Sequence, residues 1–213
     1  MIEYFSLLMH DTIALITILN PIAAASIMLG MITPATPKSI YPVALKASVT
    51  VFIASVITLY SGEFIFKLFG INVLSLKVIG GIILMLIAIN MTYGQASKAR
   101  HTQEEHDEAQ EKEDVSIVPI GIPILFGPGV IATIVVLNNN HISASSQIVS
   151  YLLITISIFL ASITVFITLK YASVINKTLG VTGMKILTRI MGLIVGAIAA
   201  QFLVSGVKGL WLL

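Results

Sequence analysis

The segment Pro119-Ile120-Gly121-Ile122-Pro123-Ile124-Leu125-Phe126-Gly127-Pro128-Gly129 lies between Asp114 and Lys170, and nothing between those two residues is Asp, Glu, Lys or Arg. Proline removes a backbone donor and clashes with the preceding helical turn. The residue before it is pushed towards extended geometry. A Gly-Pro-Gly triplet therefore cannot continue an ordinary helix. In a bilayer, freed backbone groups are tolerated only inside protein or beside a wet cavity. The segment predicts a transmembrane helix broken near the midplane. Asn20-Pro21 sets up a second break inside another long apolar run.

Composition requires the membrane. Only 12 basic and 10 acidic residues occur among 213, 57% are hydrophobic, and the mean hydropathy is +1.01. A soluble domain carries about 25% charged residues. With no cysteine in the chain, disulfides, thiolate catalysis and Cys-ligated metals are excluded. Apolar runs of about 20 residues match the hydrocarbon thickness. Six are predicted, over Phe5–Met31, Tyr41–Tyr60, Leu74–Tyr93, Pro119–Leu137, Gln147–Leu169 and Leu187–Val207. The polar run Asn138-Asn139-Asn140-His141 reads as the interruption between the fourth and fifth. The N-terminal run reads as the first span and not as a cleavable leader, since Glu3 stands where a basic region belongs.

Six spans place both termini on one side. The first, third and fifth connections and their flanks hold Lys38, Lys46, Lys98, Arg100, Lys112, Lys170, Lys177, Lys185 and Arg189, while the opposite face holds Lys67, Lys77 and Lys208. Positive charge marks the cytoplasmic face, so both termini are expected outside the cytoplasmic (inner) membrane. The hydrophilic linker, residues 96–116, carries seven acids and is expected in the cytoplasm. His101 and His106 within it fit no metal-ligand spacing. No metal and no cofactor are expected.

The linker joins two similar halves, 1–95 and 117–213. Lys77-Val78-Ile79-Gly80 is echoed by Arg189-Ile190-Met191-Gly192, Phe69-Gly70-Ile71 by Leu179-Gly180-Val181, and Asn20-Pro21 by Gly127-Pro128. Each half holds three spans, so the second must enter from the opposite side, as in inverted-repeat transporters. The expected fold class is an all-α integral membrane protein of six transmembrane helices, arranged as two inverted three-helix repeats with broken first and fourth helices.

Such breaks form a site from backbone alone. The half-helices after Pro21 and Pro128 present free N–H groups and positive dipole ends to a carboxylate. Unwound carbonyls before each break suit an ammonium. Ala23, Ala24, Ala25 and Ser26 in one half, and Gly129, Ala132 and Thr133 in the other, favour a small zwitterion. Close packing of kinked helices is the alternative use of the same residues. Asp11, in the outer part of the first span, suits either ion coupling or an interfacial position.

These residues carry a resemblance. Leu19-Asn20-Pro21-Ile22, Phe69-Gly70-Ile71 with Gly80-Gly81, Gly127-Pro128-Gly129 and Thr188-Arg189-Ile190-Met191-Gly192 resemble the MarC family of six-helix membrane proteins. Some of its members are small neutral amino-acid transporters. The resemblance implies transport of glycine, alanine or serine, driven by an ion gradient. It implies that Asn20, Pro21, Ile22 and Ala23, with Gly127, Pro128, Gly129 and Val130, hold the substrate. The family often has glycine where Ala23 stands and proline where Ser26 stands, which predicts a less open first break.

Three other functions compete. A channel or an exporter of other small solutes could use the same breaks as a pore. A membrane enzyme would need paired acids or metal ligands within the spans, which the sequence does not offer. A scaffold would act through the linker. The partners expected are an amino-acid substrate and the lipid bilayer, with no nucleic acid. The sequence leaves the oligomeric state open, a homo-oligomer included.

Overall fold

The computed structural model describes residues 2–32, 34–94, 115–142 and 146–212. His101, His106 and nearly all of the expected linker lie outside the described residues. Within those residues the secondary structure is entirely helical. Helix α1 (Ile2–Leu19) meets α2 (Pro21–Met31) at Asn20, and α3 (Pro37–Leu68) and α4 (Val73–Thr92) follow. After the linker come α5 (Ser116–Leu125), α6 (Pro128–Ile142), α7 (Gln147–Lys170) and α8 (Ala172–Trp211). Among the described residues, five stretches are long and apolar enough to cross a membrane, the first being Tyr4–Met31. The pair α5 and α6, bent by 59°, makes a sixth.

Local chemistry sets the ends. Pro37 occupies the first turn of α3, preceded by a reciprocal Thr36/Ser39 cap. Asn72 caps α4 by accepting from the Ser75 N–H at 2.7 Å. Gly70, at φ 67°, turns the chain between these helices.

Two expectations need correction. Residues 172–186, expected as a connection, are helical and belong to α8, which kinks at Gly180 (φ 63°). Their lysines can keep their charged ends in water while the stems cover apolar surface. Asn138–His141, expected between the fourth and fifth spans, is the last part of α6, and the division into two spans falls just after it. Two of its residues reach partners on other helices: the exposed Asn140 Oδ1 accepts from Lys77 Nζ at 2.9 Å, and the buried His141 meets Asp11.

Glycine seams bring α4 and α8 together antiparallel. A Cβ on Gly81 would stand 3.0 Å from the Ala199 carbonyl oxygen, and one on Gly206 would stand 2.9 Å from that of Leu74. Small residues allow this approach where lipid supplies no hydrophobic drive between helices. Aromatic pairs join α3 to α7: Tyr60 stacks on Tyr151 at 5.1 Å, and Tyr41 meets Phe166 edge-on at 5.9 Å.

Most of the packings between the two halves come in reciprocal sets. The pairing of α1 with α7 matches that of α5 with α3, and α4 with α6 matches α8 with α2. Likewise α3 with α6 matches α7 with α2, and α1 with α6 matches α5 with α2. The ends of α2 and α4 and the start of α8 share one face, called the linker face because α4 there passes into residues 95–114. The turn between α3 and α4 and the end of α6 share the opposite, terminal face.

Candidate functional site

The first break is narrow. Asn20 is buried in the left-handed conformation (φ 47°, ψ 61°), which asparagine tolerates better than most residues. Its N–H still bonds the Ile16 carbonyl, and its carbonyl accepts from the Ala24 N–H. Its side chain caps α2, with Oδ1 accepting from the Ala23 N–H at 3.4 Å, and Nδ2 reaches Met91 Sδ on α4 at 3.7 Å. Pro21 and Ala23 are buried, and Ile22 is half-buried. The hydrogen-bond ladder thus closes around one unusual residue.

The second break is wide. Val118 and Ile122, each before a proline, are extended within α5, and the peptide bonds to Pro119 and Pro123 are cis. The Phe126 N–H spans five residues to the Gly121 carbonyl at 2.9 Å. Helix α6 then starts on the Gly127 carbonyl, which accepts from Val130 and Ile131. Gly129 and Val130 are buried, Gly127 is half-buried and Pro128 is exposed.

Both breaks rest on one side of α4. A Cβ on Gly129 would lie 2.8 Å from Leu84, 3.3 Å from Ile87 and 3.8 Å from Ile18, two residues before Asn20. Met91, the next turn along, takes the Asn20 carboxamide. The structure therefore brings the two predicted segments close together, through Ile18.

A cavity of about 470 Å³ opens on the linker face between α2 and the start of α8. Ala23, Ser26 and Gly30 form one wall; Asn176, Lys185 and Thr188 form the other. Its inner end is Ala23, whose N–H is held by Asn20. Its volume is in the range of small-molecule sites. Residues 127–130 do not line it. A smaller cavity, about 370 Å³, opens on the terminal face between α6 (Val135, Asn139) and the turn from α3 to α4 (Phe66, Gly70, Leu76).

Sequence reasoning singled out Asp11 but missed its partner, His141. Asp11 is only 1% exposed, and its Oδ2 lies 2.7 Å from Nε2 of His141, which is 5% exposed. His10, mostly exposed, places Nδ1 3.2 Å from the other carboxylate oxygen. Asp11 is thus a buried partner of α6. The only sequence signal was a histidine inside an otherwise uncharged stretch; its partner stands 130 positions away.

The family comparison agrees with the helical architecture. A family model described as "MarC family integral membrane protein" matches residues 5–211. The "UPF0056 membrane protein YvbG" of Bacillus subtilis is 36% identical over 208 residues, 97% of each chain. A "UPF0056 membrane protein" of Aquifex aeolicus is 32% identical, covering 98% of this chain and 95% of its own. The relative YhcE of Escherichia coli is 30% identical over 93% of this chain. No solved structure matches it. With the match running from the first span to the end of α8, the chain belongs to the MarC family of integral membrane proteins.

Proposed function

We propose that the protein is a secondary transporter of small neutral amino acids such as glycine, alanine and serine, working by alternating access. The observation that carries this reading is the cavity that runs from the linker face to the Asn20 break. There the first turn of α2 turns a positive dipole end towards a carboxylate, which would compete with Asn20 for the Ala23 N–H it now caps. Substrate contacts are assigned to Asn20, Pro21, Ile22 and Ala23, and across the break to Gly127, Pro128, Gly129 and Val130.

The reciprocal packings support an inverted repeat of 1–95 and 117–213. So does the smaller cavity, because α6 with the start of α4 stands to it as α2 with the start of α8 stands to the larger one. Two corresponding cavities on opposite faces, of about 470 and 370 Å³, suit alternating exposure of a central site. We place the linker in the cytoplasm and both termini outside the cytoplasmic membrane, from the distribution of lysine and arginine.

The test is uptake of labelled alanine and glycine into liposomes holding the purified protein. An Asn20→Ala, Gly129→Leu double variant is the control. Saturable uptake with counterflow, lost in the variant, is expected. Uptake no greater than that of empty liposomes would remove amino acids as substrates, and unsaturable flux would indicate a channel.

A further inference from the structure

The larger cavity carries charge of one sign. Among the described residues that line it, Lys185 is cationic and none is acidic. Its inner end meets the first turn of α2, where the helix dipole is positive. Arg189, one turn beyond Lys185 on α8, is turned to a different partner. A Cβ on Gly94 would stand 3.5 Å from its Nη2 and 3.8 Å from its Nε. The guanidinium therefore sits at the C-terminal end of α4, the negative end of that helix. Among the described lining residues Lys185 has no such counterweight.

The neutral polar groups of the cavity are biased as well. The Thr188 hydroxyl donates to the Met184 carbonyl at 2.9 Å, and the Ser26 hydroxyl donates to the Ile22 carbonyl at 3.4 Å. With its proton committed, each oxygen is left to accept. Residues 16–20, whose carbonyls precede the first break, do not line the cavity. An anion thus meets a full positive charge here, whereas a donor on the solute meets neutral acceptors.

We propose that the cavity selects a carboxylate with a hydrogen-bond donor on the neighbouring carbon, so that small 2-hydroxy monocarboxylates, such as lactate and glycolate, are recognised beside the amino acids. This rests on the transport reading above, which makes the cavity the substrate's place. Lys185 is the specificity-determining residue. It pairs with the carboxylate, while the Thr188 and Ser26 oxygens accept from an ammonium or a hydroxyl alike. A solute with an ammonium and no carboxylate meets like charge at Lys185 and is refused.

A ligand that binds only the folded protein raises its unfolding temperature as ligand is added. The full-length protein, purified in detergent, is titrated at fixed ionic strength with alanine, lactate, propionate and alaninamide. Lactate is expected to stabilise it as alanine does, propionate less, and alaninamide not at all. Lys185 is exposed, so Lys185→Gln should weaken alanine and lactate by about fivefold, the share of an ion pair open to water. Lys185→Arg should restore both, and Arg189→Gln should leave both near the parent.

Alaninamide acting as lactate does would overturn the proposal. Sulfate doing so at matched ionic strength would also overturn it, since the cavity would then be a general anion site. Parent-like lactate binding in Lys185→Gln would take away the residue on which the selection depends, with the same result. Lactate without effect would overturn it too; if alanine still stabilised the protein, the amino-acid reading would stand alone. Stabilisation by lactate without alanine is the reverse case, in which the carboxylate site stands and the amino-acid reading falls.

Discussion

Gly192 of α8 lies against Ala88 of α4 so closely that a Cβ on the glycine would stand 3.0 Å from the Ala88 carbonyl oxygen and 2.9 Å from Met91 Cβ. Backbone cannot retreat as a side-chain tip can. Gly192→Val is therefore expected to destabilise the protein by about 2 kcal/mol, as overpacked sites do. Thermal unfolding in detergent measures this. Gly196→Ala, whose new methyl would meet only the Ala88 Cβ at 3.4 Å, should unfold near the parent temperature.

Asn20 supplies both a left-handed backbone and the cap of α2. Asn20→Ala loses the two together, at about 1 kcal/mol each. Asn20→Gly recovers the first. Unfolding temperatures should fall in the order parent, Gly, Ala. If Ala proved as stable as Gly, the left-handed geometry would have no weight in stability.

Gly30 lines the larger cavity, and a Cβ built on it meets nothing within 4 Å. Gly30→Phe is expected to place its ring in that space without straining the fold. Alanine uptake should drop by more than about tenfold, a loss of 1.4 kcal/mol or more, with little change in unfolding temperature. Undiminished uptake in this variant would take the cavity off the substrate path.

Orientation can be read with single thiols. Gln103→Cys lies in the linker and Asn72→Cys at the turn between α3 and α4. In intact cells an impermeant thiol reagent should label the second and spare the first until the membrane is opened. The reverse pattern would invert the assignment of faces.

The two breaks were legible because proline and glycine act locally, whatever surrounds them. Their shapes were not. Asn20 keeps the ladder intact through its own N–H and carbonyl, whereas the extended residues Val118 and Ile122 open it. Pro119 and Pro123 favour the extended residues locally, but nothing near Asn20 shows that it takes the left-handed backbone that closes the ladder. The start of α8 was hidden for a different reason. Lys177 and Lys185 lower hydropathy without ending a helix, because their charged ends can reach water beyond it. Asp11 and His141 were legible one at a time, as oddities, but only the tertiary fold gives each its partner. The acidic linker stood out by composition alone.

The contrast between a first span less sharply bent at its break and a fourth span bent by 59° has a consequence for motion. If the halves are equivalent, as proposed, these are two settings of one joint, displayed at once in a single molecule. The opposite-facing state then needs no new conformation: the first span adopts the bend of the fourth, and the fourth straightens as the first now is. Each half serves as a template for the other's next position, and Asn20 becomes the residue through which the first span would have to flex.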